Sequence, residues 1–281
     1  MTKPLRDLEE AAKAFGQQNL SQRVVVRGTD EVQAVALRFN EMAERLEKDE
    51  SLRRNLLADV AHELRNPLHI IQGNLQAILD DVYPLSPEEI ARLLDQTRLL
   101  TTLVDDLHDL AQAESNQLHL NKQRVDMAAL VKETAGAFKP VAAAKNVSVQ
   151  VELLGATPYA SVDAARFRQA LQNLFTNALR HTPEGGRIGV SVIQRADHLH
   201  ITLQDSGAGI EPQHLPYVFD RFYRTDNARS RDKGGAGLGL AIAKAIIEAH
   251  QGQILAESEG IGQGTTIKIV LPNPFGEQKE I

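Results

Sequence analysis

Over the first 122 positions apolar residues recur at three- and four-residue spacings and never alternate, which predicts an all-helical amino-terminal half with two proline-bearing breaks. Leu5, Leu8, Ala12 and Phe15 line one face of a short helix. A polar and β-branched connector from Asn19 to Asp30 follows, and Val32, Val35, Phe39, Met42 and Leu46 resume the stripe as a second short helix. Beyond polar Glu50 and Arg53 a new seam runs through Leu57, Val60, Leu64, Leu68, Ile71, Leu75, Ile78 and Val82, until Tyr83-Pro84-Leu85-Ser86-Pro87 breaks it. Ser86 as cap and Pro87 in the first turn start an antiparallel return through Ile90, Leu93, Thr97, Leu100, Val104, Leu107 and Ala111. The apolar stripe of such a hairpin is too broad for one chain to cover, so a homodimeric four-helix bundle is expected.

From about residue 123 the pattern changes. Helical periodicity at 126–144, 163–181 and 238–250 is interleaved with β-branched or alternating segments at 147–154, 187–193, 199–203, 253–256 and 266–270. That order predicts an α/β sandwich. The fold class is therefore multidomain, an all-α half followed by an α/β domain.

Composition excludes more than it selects. Hydrophobic residues at 42% and charged residues at 24% are those of a globular chain. A formal charge of −6 argues against a nucleic-acid partner, and the absence of cysteine excludes disulfides, thiolate metal sites and cysteine nucleophiles. No apolar run approaches the ~18 residues of a membrane span, and Met1-Thr2-Lys3-Pro4 does not resemble a signal peptide, so the chain as given is expected to be soluble.

Candidate chemistry gathers in glycine-rich loops. Asp205-Ser206-Gly207-Ala208-Gly209, Gly234-Gly235-Ala236-Gly237-Leu238-Gly239 and Gly262-Gln263-Gly264-Thr265 each flank a predicted strand or helix. Taken singly, each reads more readily as an ordinary turn. None fits the Walker or Rossmann spacing. Gly235, Gly237 and Gly239 precede or open a helix whose first N–H groups favour phosphate, with Leu238 between them. Asn173 and Asn177 stand four apart, so their amides project from one helix face. Neutral amide oxygens suit a magnesium ion that keeps phosphate oxygens and waters as its other ligands, and Asn177 is the candidate metal ligand. Arg180 and Arg224 are candidate phosphate clamps, and the polar stretch from Tyr223 to Gly234 is a candidate lid.

In their order, the asparagine helix, Asp205-x-Gly-x-Gly, Phe219-Asp220-Arg221-Phe222-Tyr223-Arg224, Gly235-x-Gly-Leu-Gly-Leu and Gly262-x-Gly-Thr resemble the catalytic ATP-binding domain of bacterial sensor histidine kinases. Ala61-His62-Glu63-Leu64-Arg65-Asn66-Pro67-Leu68 resembles the phosphoacceptor motif of the same family. Pro4, Asp30-Glu31 and Phe39-Asn40-x-Met42 resemble a HAMP signal-relay module. The resemblance covers nearly the whole chain. It implies a relay module at 1–50, a dimerisation and phosphoacceptor hairpin at 51–120, an ATP-binding domain at 121–275 and a tail at 276–281.

The resemblance assigns to Asp205 a hydrogen bond from the adenine amino group, with Gly207 and Gly209 letting the backbone pass close to the base. His62 would take the phosphoryl group from Mg·ATP and hand it to an aspartate of a response-regulator receiver domain. A neutral imidazole is a nucleophile near neutral pH, and Glu63 beside it can accept the other ring proton as charge builds. Pro67 removes the helical hydrogen bond to the Glu63 carbonyl and is expected to bend the helix. Asn66, where relatives often carry threonine, would orient water for dephosphorylation of the partner. Relatives that hydrolyse ATP carry a glutamate at the position of Asn173, and an amide cannot act as that base. A membrane helix is expected in a segment outside this chain, which makes the chain the cytoplasmic portion of a membrane sensor. An ATP-hydrolysing clamp or serine kinase of the same superfamily, and a dimeric scaffold with an inert nucleotide site, stay open as alternatives.

Overall fold

The computed structural model describes residues 3–16, 19–114, 120–154, 158–195, 198–224 and 236–272. The chain divides into two compact units, Met1–Ile70 and Ile71–Ile281.

The first unit holds helix α1 (Lys3–Gly16) and all but the last turns of helix α2 (Asp30–Leu79). Their apolar stripes and the connector share a small core of Ala11, Val24 and Ala36, with Leu8 and Phe39 packed against it. Phe15 and Phe39 meet edge to face at 5.7 Å. Asn40 holds the connector by both ends of its amide: Val24 N–H donates to Asn40 Oδ1 at 2.8 Å, and Asn40 Nδ2 donates to the Val24 carbonyl at 2.9 Å. Arg23 pairs with Glu47, and Arg27 with Asp7. The connector is thereby tied to both helices.

One expectation about α2 needs correction. The polar stretch around Glu50 and Arg53 does not end a short helix, because α2 is a single helix of 50 residues. Residues 47–56 read as a gap in the apolar stripe, yet they contain no glycine or proline, and Glu, Lys, Arg and Leu are good helix formers. Pro67 lies buried within α2, where it removes one ladder hydrogen bond without ending the helix.

In the second unit, helix α3 (Pro87–Glu114) starts as its sequence predicts. Glu89 N–H donates to Ser86 Oγ at 3.2 Å, and the Ser86 carbonyl accepts from Ile90 at 3.1 Å. Large apolar side chains on the hairpin stay exposed, among them Leu75, Leu79, Ile90, Leu94, Leu99 and Val104. Such a stripe is left for another molecule to cover.

The remainder is a two-layer sandwich. Strands β2 (Ser148–Leu154), β4 (Arg187–Arg195), β5 (His198–Asp205), β6 (Gln253–Glu257) and β7 (Thr265–Pro272) form one sheet in the order β2-β4-β5-β7-β6. The β2–β4 pair is parallel and the others are antiparallel. Strands β1 (Gln123–Asp126) and β3 (Tyr159–Val162) pair separately. Burial alternates along β4, β5 and β7, so one face of the sheet is covered and the other meets water. The covering helices are α4 (Met127–Ala144), α5 (Ala164–His181) and α6 (Gly239–Ala249). Asp126 caps α4 and Asp163 caps α5 through their carboxylates. His250, read from sequence as a surface or packing residue, is a packing one: its Nε2 accepts from Asp163 N–H at 2.9 Å and its Nδ1 bonds the Ile246 carbonyl at 2.8 Å.

On α3, burial and then the charges of Asp109 and Asp105 push Asp106 up to about 6. A carboxyl raised in the fold holds its proton more tightly there than in the unfolded chain. Its contribution to stability is intact below the ordinary carboxylate range and is lost as pH rises through about 6. Since Asp106 is only half-buried, solvent limits that loss to about 1 kcal/mol. Asp106→Asn is expected to melt higher than the unmodified chain near neutral pH and to match it near pH ~4. Equal melting at neutral pH contradicts this.

Candidate functional site

The last residue of the central strand β5 is Asp205, whose side chain is almost completely buried. Burial raises its carboxyl above the usual range, while the N–H groups of Gly207 and Thr265 work in the opposite direction. Gly207 N–H donates to Asp205 Oδ1 at 2.7 Å. The following loop is zipped to the loop before β7: Gly264 N–H donates to the Gly207 carbonyl at 3.2 Å and Gly262 N–H to the Ala208 carbonyl at 2.6 Å. Ser258, which carried no signal in the sequence, joins both loops. Its Oγ accepts from Ile210 N–H at 2.9 Å and donates to the Gly264 carbonyl at 2.7 Å. Gly209 has φ of 69° and lies against the Gly260 carbonyl, where no side chain fits. The sequence motif Asp-x-Gly-x-Gly is thus a backbone path passing tightly beside a buried carboxylate.

Helix α5 packs next to α6. Asn173 and Asn177 lie half-buried one turn apart on α5, and Gly239 opens α6 beside the Asn173 carboxamide. Asn173 Nδ2 is buried and finds no hydrogen-bond partner among the described residues. Among the described residues no side chain caps α6, whose N-cap Leu238 is apolar and buried. A helix start without a cap keeps N–H groups and the positive end of its dipole for an anion. Gly237, with φ of 76°, packs on the backbone of Phe222, and Phe222 N–H donates to the Gly237 carbonyl at 3.1 Å. Tyr223 and His214 Nδ1 share a hydrogen bond of 2.6 Å. The Phe219–Arg224 motif and the glycine loop are therefore joined at their bases. Arg180, near the end of α5, reaches water but has a partly desolvated guanidinium, and that desolvation together with the positive charge of Arg224 lowers its pKa. Two like charges drawn together favour an anion beside them. Gly235 lies outside the described residues.

In the other unit, His62, Glu63 and Asn66 stand on α2. His62 and Asn66 are exposed and Glu63 is half-buried. Asn66 and His62 are one turn apart, so they share a face. Of the candidates read from sequence, the structure sets Gly239 beside Asn173 on α5 and Gly207 against His181 at the end of the same helix, while His62, Glu63 and Asn66 share one stretch of α2.

Comparison with known proteins agrees with this division. Residues 162–274 match the family of histidine kinase-, DNA gyrase B- and HSP90-like ATPases, residues 52–116 the His kinase A phosphoacceptor domain, and residues 1–48 the HAMP domain. The signal transduction histidine-protein kinase BaeS of Escherichia coli K12 is 37% identical over 278 residues, which is 99% of this chain and 59% of BaeS. The chain thus spans less than two thirds of that relative's length. Among solved structures, the histidine kinase AdeS of Acinetobacter baumannii is 30% identical with a TM-score of 0.65, covering 76% of this chain and 98% of that one. Full-length ShkA in complex with AMPPNP is 27% identical with a TM-score of 0.59, covering 78% of this chain and 45% of that one. A helical half and an α/β half, each carrying its own motif set and each matched in order, place the chain in the family of two-component sensor histidine kinases.

Proposed function

We propose that the chain is the relay and catalytic portion of a homodimeric membrane sensor kinase that phosphorylates itself on His62 from ATP and passes the phosphoryl group to an aspartate of a response regulator. The relay module would occupy residues 1–50, the phosphoacceptor hairpin 51–120 and the ATP-binding domain 121–275. Among the described residues no helix is long and apolar enough to cross a membrane, so the anchoring segment belongs to this proposal. The observation that carries it is the uncapped start of α6 beside the unpartnered Asn173 amide, within the sandwich that also buries Asp205.

In this reading Asp205 accepts from the adenine amino group, and its neighbouring backbone excludes water from the base. The α6 N–H groups and Arg180 with Arg224 receive the phosphates. A magnesium ion fits the donor set, since Asn177 presents a neutral amide oxygen on the same helix as the unpartnered Asn173. When bound, such an ion neutralises charge on the phosphate oxygens. The imidazole nitrogen of His62 that bears the lone pair attacks the γ-phosphorus, the bond to the bridging oxygen breaks, and ADP leaves with that electron pair. Glu63 accepts a hydrogen bond from the other ring N–H as the ring becomes positive. Asn66, one turn on, would orient water for removal of phosphate from the regulator. Asn173 supplies no base for water, which favours transfer over hydrolysis.

Incubation with γ-labelled Mg·ATP is expected to leave label on the protein that is lost in acid and stable in base, and to leave none on His62→Gln. Acid-stable label, or undiminished label on His62→Gln, contradicts the proposal.

A further inference from the structure

Two loops rich in glycine meet at the Asp205 carboxylate, and side-chain packing can do little to fix either. Gly209 in the loop after β5, and Gly260, Gly262 and Gly264 in the loop before β7, all have positive φ. Such residues have the most backbone freedom to lose, so hydrogen bonds must hold their shape. Ser258, the residue after β6, is half-buried and reaches both loops. A hydroxyl has one proton to donate and two lone pairs with which to accept. The N–H groups of Ile210, at 2.9 Å, and Gly260, at 3.4 Å, both donate to Ser258 Oγ and occupy the lone pairs. The proton is left for a carbonyl, and that of Gly264 at 2.7 Å is nearer than that of Gly260 at 3.4 Å.

The Gly264 carbonyl belongs to the same peptide unit as the Thr265 N–H, and that N–H bonds the Asp205 carboxylate. In a trans peptide the two groups point to opposite sides of one rigid plane. Ser258 therefore holds one edge of the plane and Asp205 the other. Gly264 also lies so close to the Asp205 carbonyl that no side chain fits there. Donation to the Gly264 carbonyl polarises the unit and makes the Thr265 N–H a stronger donor, an effect that counts most where water is excluded, as at the buried Asp205 side chain.

We propose that Ser258 is a positioning residue for adenine: its hydroxyl fixes the Gly264–Thr265 peptide, and that peptide aims the Asp205 carboxylate at the base. This rests on the nucleotide reading above. Ser258→Ala is expected to weaken ATP binding about three- to tenfold, the net worth of one neutral hydrogen bond, and to leave GTP binding unchanged, so the preference for ATP falls by the same factor. Ser258→Cys fills the same space with a poor donor and is expected to lower the preference likewise in a chain whose packing is kept. Ser258→Thr keeps the donor and is expected to keep the preference. A merely structural serine would weaken both nucleotides alike. Equal losses for ATP and GTP in Ser258→Ala, or an unchanged preference in Ser258→Cys, overturn the proposal.

Carbon NMR of the Asp205 carboxyl in the nucleotide-free chain gives a readout that needs neither ATP nor phosphoryl transfer. The carboxyl is expected to titrate at higher pH in Ser258→Ala and Ser258→Cys than in the unmodified chain, because a Thr265 N–H that is no longer aimed favours the charged form less. Identical titration in all three chains overturns the proposal. Absence of adenine nucleotide binding by the unmodified chain contradicts the kinase reading instead, and the titration still decides whether Ser258 aims the carboxylate.

Discussion

Asp205→Asn is expected to lose ATP affinity by about 100-fold while the chain stays folded, the effect of withdrawing a charge-assisted hydrogen bond from a buried site. The carboxylate is buried and already takes the Gly207 and Thr265 N–H groups, and an adenine amino group would be a further donor. An asparagine side chain offers one acceptor oxygen where the carboxylate offers two. Its NH2 must then face a donor, which costs the bond and leaves polar groups unmatched. Guanine carries a carbonyl where adenine carries the amino group, so the same substitution is expected to narrow the preference for ATP over GTP. Titration calorimetry with both nucleotides reads the two effects together. Unaltered ATP affinity in the variant removes Asp205 from base recognition.

Asn177→Ala is expected to lower the labelling rate by about 100-fold or more, comparable to loss of a group that stabilises transition-state charge. Asn177 is half-buried one turn from Asn173, which lies beside Gly239 at the start of α6, and alanine preserves the helix. The readout that isolates its role is the response of nucleotide affinity to magnesium. In the unmodified chain affinity should rise with magnesium, whereas in Asn177→Ala it should be nearly flat, with the magnesium-free affinity intact. An Asn177→Ala chain that labels at full rate contradicts the assignment.

Much of this architecture is legible in the residues alone, for reasons that particular elements make plain. The three sandwich helices begin and end within a residue of their periodic patterns, because Asp126 and Asp163 cap α4 and α5 and Gly252 follows the end of α6. The five strands of the main sheet were long enough for alternation to register. Strands β1 and β3, four residues each, were too short to show a period and went unread. The continuity of α2 was hidden for a different cause. Periodicity detects a buried stripe, and a polar stretch without helix breakers leaves no stripe yet remains helical.

The nucleotide site was legible where chemistry is concentrated in contiguous residues, as at Asp205 to Gly209. It was illegible where the partner is remote. Ser258 carries no signal until the fold brings it to its donor Ile210, 48 residues away along the chain. Asp109 reads as one acid among several on α3, and only the folded chain brings it to Arg166 and Gln169, 57 and 60 residues away. Local sequence reports propensity and local geometry, while side-chain pairing across elements is a product of packing.

The measurement closest to the centre of this account is localisation of the phosphoryl group by mass spectrometry at neutral pH, after brief incubation of the unmodified chain with Mg·ATP. The account predicts the added group on the peptide that carries His62 and its disappearance when a regulator receiver domain is supplied. A phosphoryl group found on serine, threonine or another histidine, or ATP consumed to free phosphate with none on the protein, would contradict it.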